Sequence, residues 1–199
     1  MAKRKQSRAL TTPDLVLLSL LAERPMHGYQ ANLELKRRQI RDWAGVSRPQ
    51  VYYSLEKLER FGLLRAGKDT GPAGGPDRRV LAASASGRTA LADALEGEDW
   101  TTQRDRPAFL TWLALSWQAR PGVVGKQIQR RRKFLASELK REEATLEAVL
   151  GEVGHPHHEA VWMLTLVIEQ FKTELKWLDE VEETLSHRAR ARNPDYVPE

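Results

Sequence analysis

The sequence has 199 residues, which is enough for one large domain or two small ones, each able to bury a core. Its 41% hydrophobic and 30% charged residues are typical of a folded protein with a charged surface. Because cysteine is absent, disulfides, thiolate metal sites and cysteine nucleophiles are excluded. No apolar run is long enough to span a membrane, and the basic start lacks the apolar segment and cleavage site of a signal peptide. We therefore expect a cytoplasmic protein.

The positive charge is concentrated in the first half of the chain. Residues 1–90 contain 17 Lys or Arg against 8 Asp or Glu, whereas residues 91–199 contain 15 against 19, and the net charge is +5. A basic half joined to an acidic half indicates that the first meets a polyanion such as nucleic acid. A solvated basic surface is the alternative, and charge alone leaves both open.

Two helices are predicted before residue 45. Residues 1–9 form a basic arm that is predicted to be disordered. Thr12 can cap the first helix and Pro13 suits its first turn. This helix is apolar nearly all round. The second helix is predicted from residue 27 to about residue 39 and ends in a basic cluster, Lys36, Arg37 and Arg38. These cations either complement the helix dipole or contact backbone phosphates.

A third helix carries the pattern that indicates DNA recognition. Ser47 is its predicted cap, and Gly62 is placed to end it in a left-handed turn. One face is apolar, with Val51, Leu55 and Leu58 at helical spacing. The outward face near its start carries Ser47, Arg48, Gln50, Tyr53 and Ser54. Recognition helices present such early side chains to base edges, where Arg pairs with guanine and Gln with adenine. The alternative is that these are ordinary surface residues.

A β-hairpin is predicted after the third helix. Its strands are residues 63–66 and 79–83, joined by a tip rich in Gly and Pro. Arg78 and Arg79 leave the tip where the wing of a winged helix approaches phosphates. A generic hairpin with chance arginines is the alternative. A further helix follows over residues 84–96.

The second half is predicted to be helical. A polar boundary at residues 97–106 precedes helices at 107–119, 123–150 and 159–188, and a tail at 189–199 is predicted to be flexible. The last helix has an apolar stripe with steps of three and four residues, as in a coiled-coil seam. The stripe predicts a dimer interface at Leu164, Ile168, Phe171, Leu175, Leu178 and Leu185. The alternative is that it packs entirely inside its own domain.

This order of elements predicts the fold class. It is mainly α with a small β-hairpin wing. An N-terminal winged helix-turn-helix DNA-binding domain at residues 10–97 precedes a C-terminal helical dimerisation and effector domain at residues 98–188.

Three tryptophans in the second half mark a candidate effector site. Trp112 and Trp117 lie on one predicted helix and Trp162 lies on another, so a planar aromatic ligand could bind between helices. Tryptophans at helical spacing are also common in a core, which is the alternative.

Metal binding and catalysis have weaker signals. His155, His157 and His158 offer imidazoles suited to zinc or nickel, but no further ligand motif accompanies them, and we favour a solvated turn over a metal site. No metal and no cofactor is predicted. The sequence has no phosphate-binding glycine loop and no Gly-x-Ser-x-Gly elbow, so we do not expect an enzyme.

Several motifs resemble those of the PadR family of bacterial transcriptional regulators, strongly over about residues 10–90 and more loosely over 100–188. They are Leu17-Leu18-Ser19-Leu20-Leu21-Ala22-Glu23, Met26-His27-Gly28-Tyr29, Val46-Ser47 with Val51-Tyr52, Leu55-Glu56-Lys57-Leu58-Glu59, Gly62-Leu63-Leu64 and Gly87-Arg88-Thr89-Ala90-Leu91. Together they are specific, whereas any one alone is weak. The chain departs from the family at Tyr53, Leu81 and Ala83, where proline, tyrosine and leucine are usual.

The resemblance implies a winged helix domain joined to a helical domain that forms a two-fold dimer. It also implies repression by operator binding, which a small, often aromatic, ligand relieves. Tyr52 aligns with the family's recognition-helix tyrosine, although its spacing also allows it to pack beside Glu56.

We therefore predict a homodimeric repressor that binds double-stranded DNA at a pseudo-palindromic operator and responds to a small aromatic ligand. The alternative is a winged-helix module that binds protein without sequence-specific DNA recognition. The predicted DNA-binding residues are Ser47, Arg48, Gln50, Tyr52, Tyr53, Lys36, Arg37, Arg78 and Arg79.

Overall fold

The computed structural model describes residues 10–66, 79–103 and 107–188. The predicted basic arm, the hairpin tip with Arg78, and the C-terminal tail lie outside the described residues. The chain divides into two compact units, Met1–Arg104 and Asp105–Glu199.

The N-terminal unit is helical with a small sheet. Its elements are α1 (Thr12–Glu23), β1 (Met26–His27), α2 (Gly28–Arg37), α3 (Ile40–Ala44), α4 (Arg48–Arg60), β2 (Leu64–Ala66), β3 (Val80–Ala83), α5 (Ala85–Leu95) and α6 (Asp99–Thr102). The sheet is antiparallel in the order β1-β3-β2. The predicted class, mainly α with a β-hairpin wing, is confirmed, and β1 adds a third strand that was not predicted.

Helix α1 forms the centre of the N-terminal core. It begins one residue earlier than predicted, because Thr11 and not Thr12 is its N-cap. The backbone N–H and the hydroxyl of Thr11 both donate to Asp14 Oδ2, at 2.8 and 2.7 Å. The apolar side chains of α1 are almost fully buried and pack against α4, α5 and β3. A helix that is apolar all round requires such surroundings.

The second helix ends close to its predicted limit, and a short helix that was not predicted follows it. Helix α2 ends at Arg37, and Gln39 takes a left-handed conformation with φ of 52° before the short helix α3 begins. Helix α3 was not predicted, because five residues are too few to show a helical period. The break turns the chain toward α4.

The C-terminal unit is built on a long helix pair. Its elements are α7 (Ala108–Leu115) with a 3-10 turn at Ser116–Gln118, α8 (Val123–Val153), and α9 (Glu159–Thr184) with a 3-10 turn at Leu185–His187. Helices α8 and α9 pack side by side around a buried cluster of Val124, Ile128, Leu135 and Leu178. In the described part of the chain, no helix combines the length and the apolar character that crossing a membrane requires.

Candidate nucleic-acid interface and ligand cavity

The start of α4 is exposed and firmly capped. Ser47 is the N-cap and Gln50 is the third helical residue, and both the backbone N–H and the hydroxyl of Ser47 donate to Gln50 Oε1, at 2.8 and 2.7 Å. This pairing fixes the direction of the first turn. It also occupies the Gln50 side-chain oxygen. Gln50 must therefore break its hydrogen bonds to Ser47 before its amide oxygen and nitrogen can both bind adenine.

Arg48 lies in this first turn and Tyr53 lies in the second turn. Both are exposed, and Tyr53 has 66% of its surface accessible. The opposite side of α4 is buried in the core through Val51, Leu55 and Leu58. Ser54, which was predicted to face outward, is buried as well, because its side chain hydrogen-bonds Asp14. The helix therefore presents an arginine and an aromatic ring outward from a rigid base, the arrangement that groove readers use.

Tyr52 lies on the flank of α4 and is 40% exposed. It lines a cavity of about 210 Å³ together with Gly28, Tyr29, Leu55, Glu56, Glu59, Arg79 and Leu81. Both sequence-based interpretations of Tyr52, contact with DNA and packing beside Glu56, are compatible with this position.

A buried ion pair ties α4 to α1, and sequence reasoning missed it. Lys57 Nζ lies 2.6 Å from Asp14 Oδ2, and Asp14 is fully buried. Burial alone would raise the pKa of Asp14, but hydrogen bonds from Lys57, Thr11 and Ser54 together outweigh it and hold that pKa below its usual value. The pair fixes the angle between the core helix α1 and the exposed helix α4.

The base of the wing lies next to α4. Strands β2 and β3 pair in the register Leu64↔Ala83, Arg65↔Ala82 and Ala66↔Leu81. Arg79 enters β3 with 61% of its side chain exposed, and its Nη1 lies 3.1 Å from Glu59 Oε1 on α4. The positive charge of Arg79 is thus partly balanced within the chain. An exposed pair of this kind contributes little to stability and is readily exchanged for a phosphate.

The basic residues near the end of α2 are of two kinds: arginines that pair with Glu34, and the exposed Lys36. Glu34 accepts from Arg24, Arg37 and Arg38, which lowers its pKa, chiefly through the hydrogen bond from Arg37. Lys36 is exposed and has no ion-pair partner among the described residues. Of the predicted phosphate contacts on α2, Lys36 is therefore available and Arg37 is shared with Glu34.

The C-terminal unit contains a cavity of about 300 Å³ between α7 and α8. It is lined by Phe109, Trp112, Gln127, Arg130, Arg131 and Phe134. Phe109 and Trp112 stack at 5.5 Å between ring centroids, and the Arg131 guanidinium lies 5.2 Å from the Phe109 centroid and 5.6 Å from the Phe134 centroid. Arg131 is held by Glu174 through two hydrogen bonds of 2.7 and 2.8 Å. Aromatic walls next to guanidinium groups suit a planar anion.

The predicted effector residues are not together. Trp112 lines this cavity, whereas Trp117 and Trp162 are 52% and 56% exposed and do not line it. Phe109, Arg130 and Phe134 were missed, since only the fold brings α7 onto the first turns of α8.

The predicted dimer stripe on α9 largely faces α8. Leu164, Ile168 and Leu178 are buried within the single chain, and Phe171, Leu175 and Leu185 are partly buried against the α8–α9 cluster. The side chains that α9 leaves exposed include Trp162 and Leu166.

The histidine group has local hydrogen bonds. The backbone N–H of His157 donates to His155 Nδ1 at 3.2 Å, and that of Ala160 donates to His158 Nδ1 at 3.1 Å. Across residues 10–66, 79–103 and 107–188, no group of three or more His, Asp or Glu side chains is arranged to hold a metal ion.

Comparison with known proteins identifies the family. Residues 17–93 match the Transcriptional regulator PadR-like family, and no curated protein sequence matches the chain significantly. The fold resembles that of Bacillus subtilis PadR in complex with operator DNA, with a TM-score of 0.74 and 16% identity over 89% of this chain and 99% of that one. It also resembles a PadR-like transcriptional regulator from Bacillus cereus (TM-score 0.66, 16% identity, 88% and 98% covered). Bacillus subtilis PadR in complex with p-coumaric acid gives a TM-score of 0.62 at 17% identity, with 88% and 99% covered.

The family consists of transcriptional regulators, which confirms the prediction of a regulator and not an enzyme. At the identities found, the solved structures establish the shared fold, and the matched segment 17–93 contains α4 and both strands of the wing. The domain at residues 17–93 is therefore a PadR-like transcriptional regulator domain.

Proposed function

We propose that the protein is a homodimeric repressor that binds a pseudo-palindromic operator and releases it when a small aromatic acid occupies the α7–α8 cavity. The observation that carries the proposal is the exposed start of α4, where Arg48 in the first turn and Tyr53 in the second are exposed on a helix whose other side is buried in the core. A single winged unit reads only a short half-site, so two copies are needed for specific affinity at physiological salt.

The side chains divide into base readers and phosphate contacts. Arg48 is the reader, because an arginine at the start of a recognition helix can pair with guanine through two hydrogen bonds. Lys36 and Arg79 are phosphate contacts. Arg79 reaches a phosphate by exchanging Glu59 for it, which involves little net cost because the existing pair is exposed.

Arg48→Ala should relax the base preference and weaken operator binding by about 1–3 kcal/mol, since a bidentate base contact is lost. The experiment begins with selection of genomic fragments by the purified protein at about 0.15 M salt, close to physiological ionic strength. Affinities for the selected site and for its single-base variants are then measured. Arg60→Ala, at the opposite end of α4, is the matched control and should keep the full base preference.

The outcomes separate the alternatives. An enriched pseudo-palindrome supports two copies on one operator. If Arg48→Ala retains the wild-type base preference, the assignment of Arg48 to the groove is wrong. Binding without enrichment and without a steep dependence on salt would favour the protein-interaction module, because counterion release accompanies phosphate contact.

Dimerisation is proposed to use the C-terminal unit. Trp162 and Leu166 lie one turn apart on α9 and are 56% and 60% exposed. Leu115, the last residue of α7, and Trp117 in the following 3-10 turn are also exposed. Clusters of large apolar side chains on a surface mark sites of association. In this proposal the buried residues of the α9 stripe hold α9 against α8 and do not contact the second copy. The exposed parts of the Phe171 and Leu175 side chains contact the second copy directly.

The effector is proposed to be a planar aromatic carboxylate. The rings of Phe109, Trp112 and Phe134 supply walls for a flat ligand. Arg130 is exposed, lines the cavity and has no ion-pair partner among the described residues, so it is available for a carboxylate. The structure of Bacillus subtilis PadR with p-coumaric acid supports this ligand class.

Arg130→Gln should weaken the binding of p-coumaric acid by about tenfold, as expected when a hydrogen bond to a charged group is lost. Isothermal titration calorimetry of the full chain measures the change. Arg120→Gln removes an exposed arginine outside the cavity lining and is the control. The neutral methyl ester of the same acid should bind wild type and Arg130→Gln equally. Equal affinity of both proteins for the acid would rule out Arg130 as the carboxylate partner.

A further inference from the structure

Helix α8 carries two groups of basic side chains. Arg131 and Arg132 face α9 and pair with Glu174, Asp179 and Glu182 at 2.5–2.7 Å. The second group consists of Lys126, Arg130, Lys133 and Lys140, which we call the basic stripe. All four are exposed, and none has an ion-pair or hydrogen-bond partner among the described residues.

The basic stripe follows one face of the helix. With 3.6 residues per turn, its four members and Ser137 fall within an arc of about 80° and extend over about 21 Å. Ile128 and Leu135, which are buried against α9, lie on the opposite face. The only acidic residue between Lys126 and Lys140 is Glu138, which pairs with Arg141 and lies off this face.

The stripe has an energetic cost in the isolated chain. Like charges at positions i and i+3 or i+4 destabilise a helix by about 0.2–0.5 kcal/mol per pair. The pairs Lys126–Arg130 and Arg130–Lys133 have these spacings. Arg131 and Arg132 have acidic partners on α9, but the stripe points away from them, so no described side chain of the same unit offsets this repulsion.

We propose that the basic stripe binds the phosphate backbone of duplex DNA, forming a second DNA-contacting surface in addition to α4 and the wing. The chemistry favours phosphate over a protein partner, because the stripe contains no apolar residue and protein interfaces have an apolar core. A row of solvated cations is the usual match for phosphates, which are held without base readout.

DNA is also the polyanion that the molecule encounters at the highest local concentration. This step rests on the proposed function. Once the N-terminal unit holds an operator, the adjoining duplex is presented to the linked C-terminal unit at an effective concentration on the order of millimolar. Weak contacts that would fail alone can form under those conditions.

The test compares two double variants of the full-length protein. Lys126→Gln with Lys133→Gln removes two charges from the stripe, and Lys172→Gln with Lys176→Gln removes two exposed lysines from α9 as the matched control. Arg130 is left unchanged because it also lines the α7–α8 cavity. Operator affinity is measured against salt on a duplex that continues for several helical turns beyond the operator.

In the dimer the stripe variant loses two phosphate contacts from each protomer, so the slope of log K against log salt should fall in magnitude by about 3.6, at about 0.9 for each lost contact. The control should keep the wild-type slope. A duplex limited to the operator should give the same slope for all three proteins if the stripe binds the flanking DNA. Equal slopes for the stripe variant and the control on the long duplex would overturn the proposal.

A second readout does not depend on operator recognition. Lysine acetylation of the wild-type protein is measured by mass spectrometry at low salt, with and without a non-specific duplex. Protection of Lys126, Lys133 and Lys140 relative to Lys172 supports the stripe, even if the protein proves to select no operator. Equal acetylation of all four lysines with and without DNA would refute it, whatever α4 binds.

Discussion

Replacing Lys57 by methionine should destabilise the N-terminal unit by about 3–5 kcal/mol, because it leaves a buried carboxylate without its charge partner. Asp14 is fully buried, and the side chain of Lys57 is only 14% exposed. Methionine keeps the length and the helix propensity of lysine, so the change removes chiefly the charge. Urea unfolding followed by circular dichroism measures the loss.

Two further variants make this result specific. Lys36→Met removes an exposed lysine from α2 and should change stability by no more than about 0.5 kcal/mol. Asp14→Asn combined with Lys57→Met should recover part of the loss, since neither partner then carries a charge. If Lys57→Met lowered the free energy of unfolding by no more than Lys36→Met does, the burial of Asp14 would not depend on its ion pair with Lys57.

The cost of Lys57→Met should also shrink in acid. The native pKa of Asp14 lies below its usual value, so the ionised carboxylate stabilises the fold at pH values above about 4, and this contribution is lost as the pH falls toward the native pKa. Without the hydrogen bond from Lys57, the pKa of Asp14 is higher in the variant than in the wild-type protein, so protonation of Asp14 relieves the variant first as the pH falls. Glu23 and Glu34 also have lowered pKa values, but they are present in both proteins and cancel in the difference.

The two ends of α4 show where sequence reasoning succeeds. Ser47 and Gly62 are short-range signals: a hydroxyl that satisfies a helix start, and a residue that tolerates the left-handed φ of 69° at a helix end. Both bound α4 as predicted. The starts of α8 and α9 were predicted as well, but α8 ends at Val153 and not at 150, and α9 ends at Thr184 and not at 188. A repeated apolar period shows that a long helix is present, but it does not fix where the helix ends.

Short-range signals of this kind could not predict contacts between residues that are far apart in the sequence. Asp14 and Lys57 are separated by 43 positions, and Arg79 and Glu59 by 20, so no local pattern pairs them. Strand β1 is two residues long and exists because β3 offers it hydrogen bonds. Its sequence carries no alternation of its own to predict it.

The α9 stripe illustrates a different limit. A period of three and four residues shows that a helix has an apolar face, but it does not show whether the covering helix comes from the same chain or from another. Leu178 is fully buried against α8, which covers much of that face.

Gly87→Ala should destabilise the N-terminal unit by about 3 kcal/mol or more, although alanine is the better helix former. Gly87 is buried in the first turn of α5, and a Cβ at this position would lie 2.1 Å from the carbonyl oxygen of Leu63. That oxygen also accepts the backbone N–H of Ser84 at 2.9 Å, the bond that closes the base of the wing. The backbone must therefore separate where β3 meets α5, and operator affinity should fall together with stability.

Gly151→Ala is the control, because nothing lies within 4 Å of the added methyl group on α8, and it should stabilise its unit by about 0.4–1 kcal/mol. The two variants make the same chemical change in two helices, so opposite signs in thermal unfolding would identify the Leu63 carbonyl as the cause. Stabilisation by Gly87→Ala would instead show that α5 can move away from the wing without loss.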